Sequence, residues 1–145
     1  MKTALRFFFL FSIFSGFLFT SCEPVENSDT SDDARDAFTG IWRFLESQTL
    51  KSTDAQSYIV NITKDPADSS QVFIENFGNP GVNDIAATGK VSANQIVIST
   101  QSLSNGWTVE GSGKMSNVAG TEMKWTYTIV AGGVKEYFTA IVTKQ

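Results

Sequence analysis

From residue 38 onward the chain alternates between apolar and polar positions with a period of two. Trp107, Val109, Gly111, Gly113 and Met115 fall on one face, and Thr108, Glu110, Ser112 and Lys114 on the other. Met123, Trp125, Tyr127 and Ile129 alternate in the same way with Lys124, Thr126 and Thr128. Successive side chains of a strand point to opposite faces, so this pattern predicts a sheet with one buried side. No stretch of the domain carries a helical apolar stripe. Eight short segments rich in β-branched and aromatic residues follow one another, at 39–47, 56–64, 71–77, 84–91, 95–101, 107–115, 122–130 and 134–143. Turn chemistry separates them: Asp65-Pro66, Asn79-Pro80-Gly81, Ala93-Asn94, Asn105-Gly106, Asn117 to Gly120 and Gly132-Gly133. Sequential hairpin-linked strands must hide both their inner faces and their edges. The expected fold is therefore all-β, an eight-stranded antiparallel up-and-down barrel, with a two-sheet β-sandwich as the alternative.

The N-terminus follows a different pattern. Lys2 and Arg6 precede an uncharged apolar run from Phe7 to Phe19, and small polar residues then lead to Cys22. Basic start, apolar run and small-residue cut site make up a secretory signal, too short to span a bilayer comfortably. Phe19-Thr20-Ser21-Cys22 resembles the lipobox of bacterial lipoproteins, although phenylalanine stands where leucine is usual. That resemblance implies cleavage before Cys22 and diacylation of its thiol, with the acyl chains as the membrane partner. Cys22 is the only cysteine, so no disulfide can form within the chain. The expected organisation is a removed signal peptide at 1–21, the lipidated Cys22 with an acidic disordered tether at 22–37, and one β-barrel domain at 38–145. The expected location is the cell envelope, on an outer membrane, at its periplasmic face or on the cell surface.

Charge narrows the partners. Residues 23–37 carry six acids against Arg35 alone, a composition with little to bury. Acids soon after the cysteine resemble the surface-export signals of Bacteroidetes lipoproteins; a plain solvated linker would look the same. Residues 38–145 hold nine acids and eight scattered bases, so the clustered Lys/Arg of a nucleic-acid interface is missing. The chain contains no histidine, and its single cysteine is assigned to the anchor. No Ser-His-Asp or Cys-His arrangement can be built, and no zinc, copper or haem site. No cofactor and no catalytic residue are assigned, and the protein is read as a non-enzyme.

Weaker patterns have ordinary explanations. Glu46 and Glu75 could face inward as a carboxylate pair, but a solvated strand face is the simpler reading. Asn76, Asn79, Asn83 and Asp84 are oxygen-rich, yet their spacing is that of turn formers and not of a calcium loop. Gly111-Ser112-Gly113-Lys114 has the wrong spacing for a phosphate loop. Glycines in a strand more often mark a bend, a bulge or room for a bulky neighbour.

The lipobox, Gly40-Ile41-Trp42 at the first strand, YIVNI (58–62), VFIENF (72–77), QIVIST (95–100) and GSGKM (111–115) together resemble the calycin-like or lipocalin-like β-barrel lipoproteins of the Bacteroidetes type. The resemblance implies that Trp42 closes one barrel end and packs under an arginine from the last strand. That strand offers only Lys135 and Lys144.

Two functional classes follow. In the first, the barrel binds a small apolar ligand or a glycan, with Trp42, Tyr58, Val60, Ile74, Ile98, Trp125 and Tyr127 as candidate lining. In the second, the interior is packed, and the outer face or the loops dock another envelope protein.

Overall fold

The computed structural model describes residues 33–48, 55–81 and 84–145. Cys22, the signal segment and residues 22–32 of the expected tether lie outside these. A short 3-10 helix, η1 (Ala34–Ala37), precedes eight strands: β1 (Gly40–Gln48), β2 (Gln56–Lys64), β3 (Gln71–Glu75), β4 (Ala86–Ser92), β5 (Gln95–Ser102), β6 (Thr108–Met115), β7 (Glu122–Ala131) and β8 (Val134–Lys144). Each strand pairs antiparallel with the next, and β1 also pairs with β8, which closes the barrel. Trp42 faces Val60 on one side and Lys144 on the other, and Glu46 lies between Gln56 and Ala140. The barrel alternative is the one the chain adopts; the sandwich is not.

Closure works because inward and outward faces alternate round the barrel, with one register shift in the β5–β6 ladder between Ile98 and Gln101. Trp42 and Phe44 on β1, Val60 and Ile62 on β2, Met123, Trp125 and Tyr127 on β7, and Ala140 and Val142 on β8 all point inward and are buried. Eight strands leave an interior that side chains can fill. Large rings meet there: Phe44 lies 5.8 Å from Trp125 and 5.3 Å from Tyr58 between centroids, and Phe77 lies 4.8 Å from Tyr127. The glycines of β6 make the room. A Cβ on Gly113 would fall 1.9 Å from the Trp125 ring, and one on Gly111 would fall 2.4 Å from Tyr127 Cβ.

Beyond shifts of one or two residues at other strand ends, two boundaries change the packing. β3 stops at Glu75 because Asn76 takes a left-handed backbone (φ 62°), so Phe77 enters the core from a loop instead of a strand. The tether boundary at 37 is also corrected, since residues 33–37 are folded against the barrel. Asp33 caps η1, its side chain accepting from the Arg35 backbone N–H. The buried Arg35 guanidinium donates through Nη1 to the carbonyl oxygens of Asp65 (2.9 Å), Asp68 (2.9 Å) and Gln71 (3.3 Å) in the β2–β3 turn. Lys64 bridges Asp33 and Asp36 at 3.0 and 2.7 Å. The acids and the lone arginine read as solvated linker are thus a clasp across one barrel end.

Candidate ligand site at the barrel mouth

The two ends of the barrel are built differently. At the end covered by η1, the Trp42 indole donates to the Phe38 carbonyl at 2.6 Å, and Lys144 Nζ sits 5.3 Å from the Trp42 ring centroid. Trp42 and Phe38 expose no surface. The tryptophan therefore closes this end, with Lys144 of the last strand over its ring. A cation over an indole face is attractive whichever side chain carries it.

Toward the other end the inward face turns polar, and three adjacent strands do this together. Along β1 the inward sequence runs Trp42, Phe44, Glu46, Gln48. Along β2, read in the same direction, it runs Ile62, Val60, Tyr58, Gln56, and along β8 Val142, Ala140, Phe138, Glu136. Beyond the aromatic layer lies a recess of about 340 Å³. Glu46, Gln48, Gln56, Glu136, Trp107 and Phe138 line it, and Gly78 and Asn79 of the β3–β4 loop close one side. This is within the size range of small-molecule sites.

Its floor is a buried hydrogen-bond chain. Glu46 is only 8 % exposed, which corrects its reading as a solvated strand residue. Its carboxylate accepts from the Tyr127 hydroxyl. Tyr127 has given its proton to that bond, so its oxygen is left to accept from Tyr58 at 3.0 Å. Burial, reinforced by nearby Glu46, pushes both phenols far above their ordinary range, so they remain neutral donors. Glu75, by contrast, lies on the outer side, where its carboxylate accepts from Asn61 Nδ2 at 3.0 Å. The two carboxylates do not form a pair.

All seven residues named as lining are inside the barrel and buried. They are core, however. Trp42, Val60 and Ile74 present no surface even to an enclosed water-sized void. Tyr58 and Tyr127 supply the floor, and the recess itself is lined one layer nearer the mouth by residues the sequence did not single out. Asn76 and Asn79 of the oxygen-rich loop both take positive φ, as turn formers do, and Asn76 Nδ2 donates to the Ile59 carbonyl at 2.8 Å. Asn83 lies outside the described residues.

No protein-family model matches the chain, and no curated protein matches it. Solved structures do. A redesigned β-barrel is similar with a TM-score of 0.51 at 11 % identity, covering 78 % of this chain and 96 % of its own. EF1p2_mFAP2b bound to DFHBI is similar with a TM-score of 0.50 at 12 % identity, covering 78 % and 98 %. At such identities the likeness is one of fold. The chain is thus an all-β protein built as a closed eight-stranded up-and-down barrel.

Proposed function

We propose that this protein is a non-catalytic, membrane-anchored envelope lipoprotein whose barrel mouth binds a small polar ligand of the carbohydrate class. The recess above the Tyr58–Tyr127–Glu46 chain carries this reading. It combines two carboxylates, three amides and the rings of Trp107 and Phe138 in one concavity. Side-chain acceptors and donors beside an aromatic surface suit a molecule with hydroxyls on its rim and C–H groups on its face. A deep apolar ligand finds no support, because the layers below are filled. The anchor rests on the signal and lipobox pattern; no helix among the described residues is long and apolar enough to cross a membrane. Saturation-transfer NMR of the mature domain against a panel of mono- and oligosaccharides tests the proposal. Binding to at least one sugar, lost in Trp107→Ala and kept in Thr126→Ala, is the expected result. No binding across the panel would overturn it.

A second reading, docking to another envelope protein, draws on the outer surface. Leu45 and Ile141 oppose each other across β1 and β8 and are both about half exposed, as are Ile59 and Tyr137 nearby. A capture experiment with cross-linking through that face separates the two.

A further inference from the structure

We infer that the ligand taken at the mouth carries a protonated amine, which is held between Glu46 and Glu136. This rests on the ligand-binding reading above and narrows it to a class of molecule.

The inference comes from the charge balance of the recess. Glu46 is buried, and the groups that hold it are neutral: Tyr127 donates to it, and Tyr58 stands behind Tyr127. A carboxylate taken out of water loses hydration that one hydroxyl cannot replace. Glu136 adds a second acid on the neighbouring strand, inward-facing and two residues from Phe138. No basic side chain among the described residues lines the recess. Five of the eight bases among the described residues have partners elsewhere, and Lys90, Lys114 and Lys124 do not line the recess. Lys135 points outward to Glu110 at 2.9 Å, Arg43 bonds Gln145, Lys144 covers Trp42, and Lys64 and Arg35 serve the clasp at the opposite end.

The remaining walls favour the same charge. Trp107 and Phe138 add aromatic rings to the wall, and a ring whose face meets a ligand attracts cations and not anions. Gln48, Gln56 and Asn79 offer carbonyl oxygens to whatever hydroxyls flank the amine. An anionic ligand would meet two carboxylates without a counter-charge. A neutral one would bring neither carboxylate a counter-charge. An ammonium gives the carboxylates their counter-charge and suits walls that carry aromatic rings.

The test compares three probes by intrinsic fluorescence and calorimetry on the mature protein: glucosamine, N-acetylglucosamine and benzylammonium. Glucosamine should bind roughly tenfold more tightly than its N-acetyl form, the scale of one charged hydrogen bond. Glu46→Gln should abolish that preference. Glu136→Gln, on the more exposed rim, serves as the second variant should Glu46→Gln fold poorly, and should weaken the preference. Equal binding of the two sugars would overturn the amine while leaving the carbohydrate reading intact. Benzylammonium binding alone, with neither sugar, would support the amine and overturn the carbohydrate. Lys51 lies outside the described residues, so Lys51→Met is measured alongside. An unchanged preference supports direct contact of the amine with Glu46, whereas a preference that appears only in Lys51→Met would mean that the chain supplies its own cation, which overturns the inference.

Discussion

Gly113→Ala is the sharpest probe of how the barrel interior is fitted together. The added methyl would sit 1.9 Å from Trp125 Cε2, 2.2 Å from Nε1 and 2.4 Å from Cδ2. Ordinary contact needs 3.4 Å or more, so the ring must retreat by over an ångström. It has nowhere to go. Trp125 is 1 % exposed, with Phe44 at 5.8 Å and Phe77 at 5.5 Å between ring centroids. Its Nε1 has no hydrogen-bond partner among the described residues, so packing alone fixes the ring. Overpacking a well-filled core typically costs about 1–3 kcal/mol, and the depth of this overlap places the variant near ~3 kcal/mol. For a domain of this size that corresponds to a fall in melting temperature of roughly 10–15 °C. Urea unfolding of Gly113→Ala, Trp125→Phe and the double variant gives the coupling directly. The smaller ring should recover at least ~1 kcal/mol of the alanine penalty, because the two groups compete for one space. A loss below about 0.5 kcal/mol in Gly113→Ala, or strict additivity in the double variant, would refute the fitted-glycine account.

The clasp should behave as structure and not as linker. A chain beginning at Phe38 should melt well below one beginning at Asp33, and Arg35→Met in the longer chain should reproduce most of that loss by differential scanning calorimetry; equal melting of all three would restore the tether boundary at 37. Asp33 is held well below the ordinary carboxylate range, first by the Arg35 side chain and then by Lys64. A depressed carboxylate stabilises the fold above its unfolded-state value, and that contribution fades as pH falls below about 4; the gap between the chains starting at 33 and 38 should therefore narrow with acidification between pH 4 and pH 2. On the proposed anchor, Cys22→Ala should leave the precursor uncut and outside the detergent phase, and a variant partitioning at wild-type mass would remove the lipoprotein reading.

How legible the molecule was depended on which physical signal each part carried. The strands were readable because period-two alternation is a local signal, and Met123-x-Trp125-x-Tyr127-x-Ile129 reports its buried face without reference to any other segment. Strand ends were less so: Gln71 to Phe77 reads as one apolar run, and only the positive φ of Asn76 and Asn79 shows that Phe77 plugs the core from a loop. Arg35 was misread because composition cannot see three carbonyls converging thirty or more residues away. The mouth was hidden for a related reason. Glu46, Gln56 and Glu136 each look like a single polar residue near a strand end, as a solvated position would. The signal was present only in comparison: the inward positions of β1, β2 and β8 turn polar at the same end, which becomes visible once the register aligns Glu46 with Gln56 and Ala140.

That alignment also separates the work of the two ends. Everything that fixes the fold at its entry is gathered where the chain comes in: η1, the Arg35 clasp, and Trp42 between the Phe38 carbonyl and Lys144. Perturbing the mouth therefore need not perturb closure, since Glu46→Gln keeps the shape of the side chain and leaves Trp42 and its partners untouched. The same arrangement decides where the proposed anchor would join the barrel. Eleven residues run from Cys22 to Asp33 and reach at most about 40 Å when fully extended. They enter at the clasped end, opposite the recess. On the proposed anchor, the tether would join the barrel at its clasped end and leave the acidic mouth clear of the point of attachment.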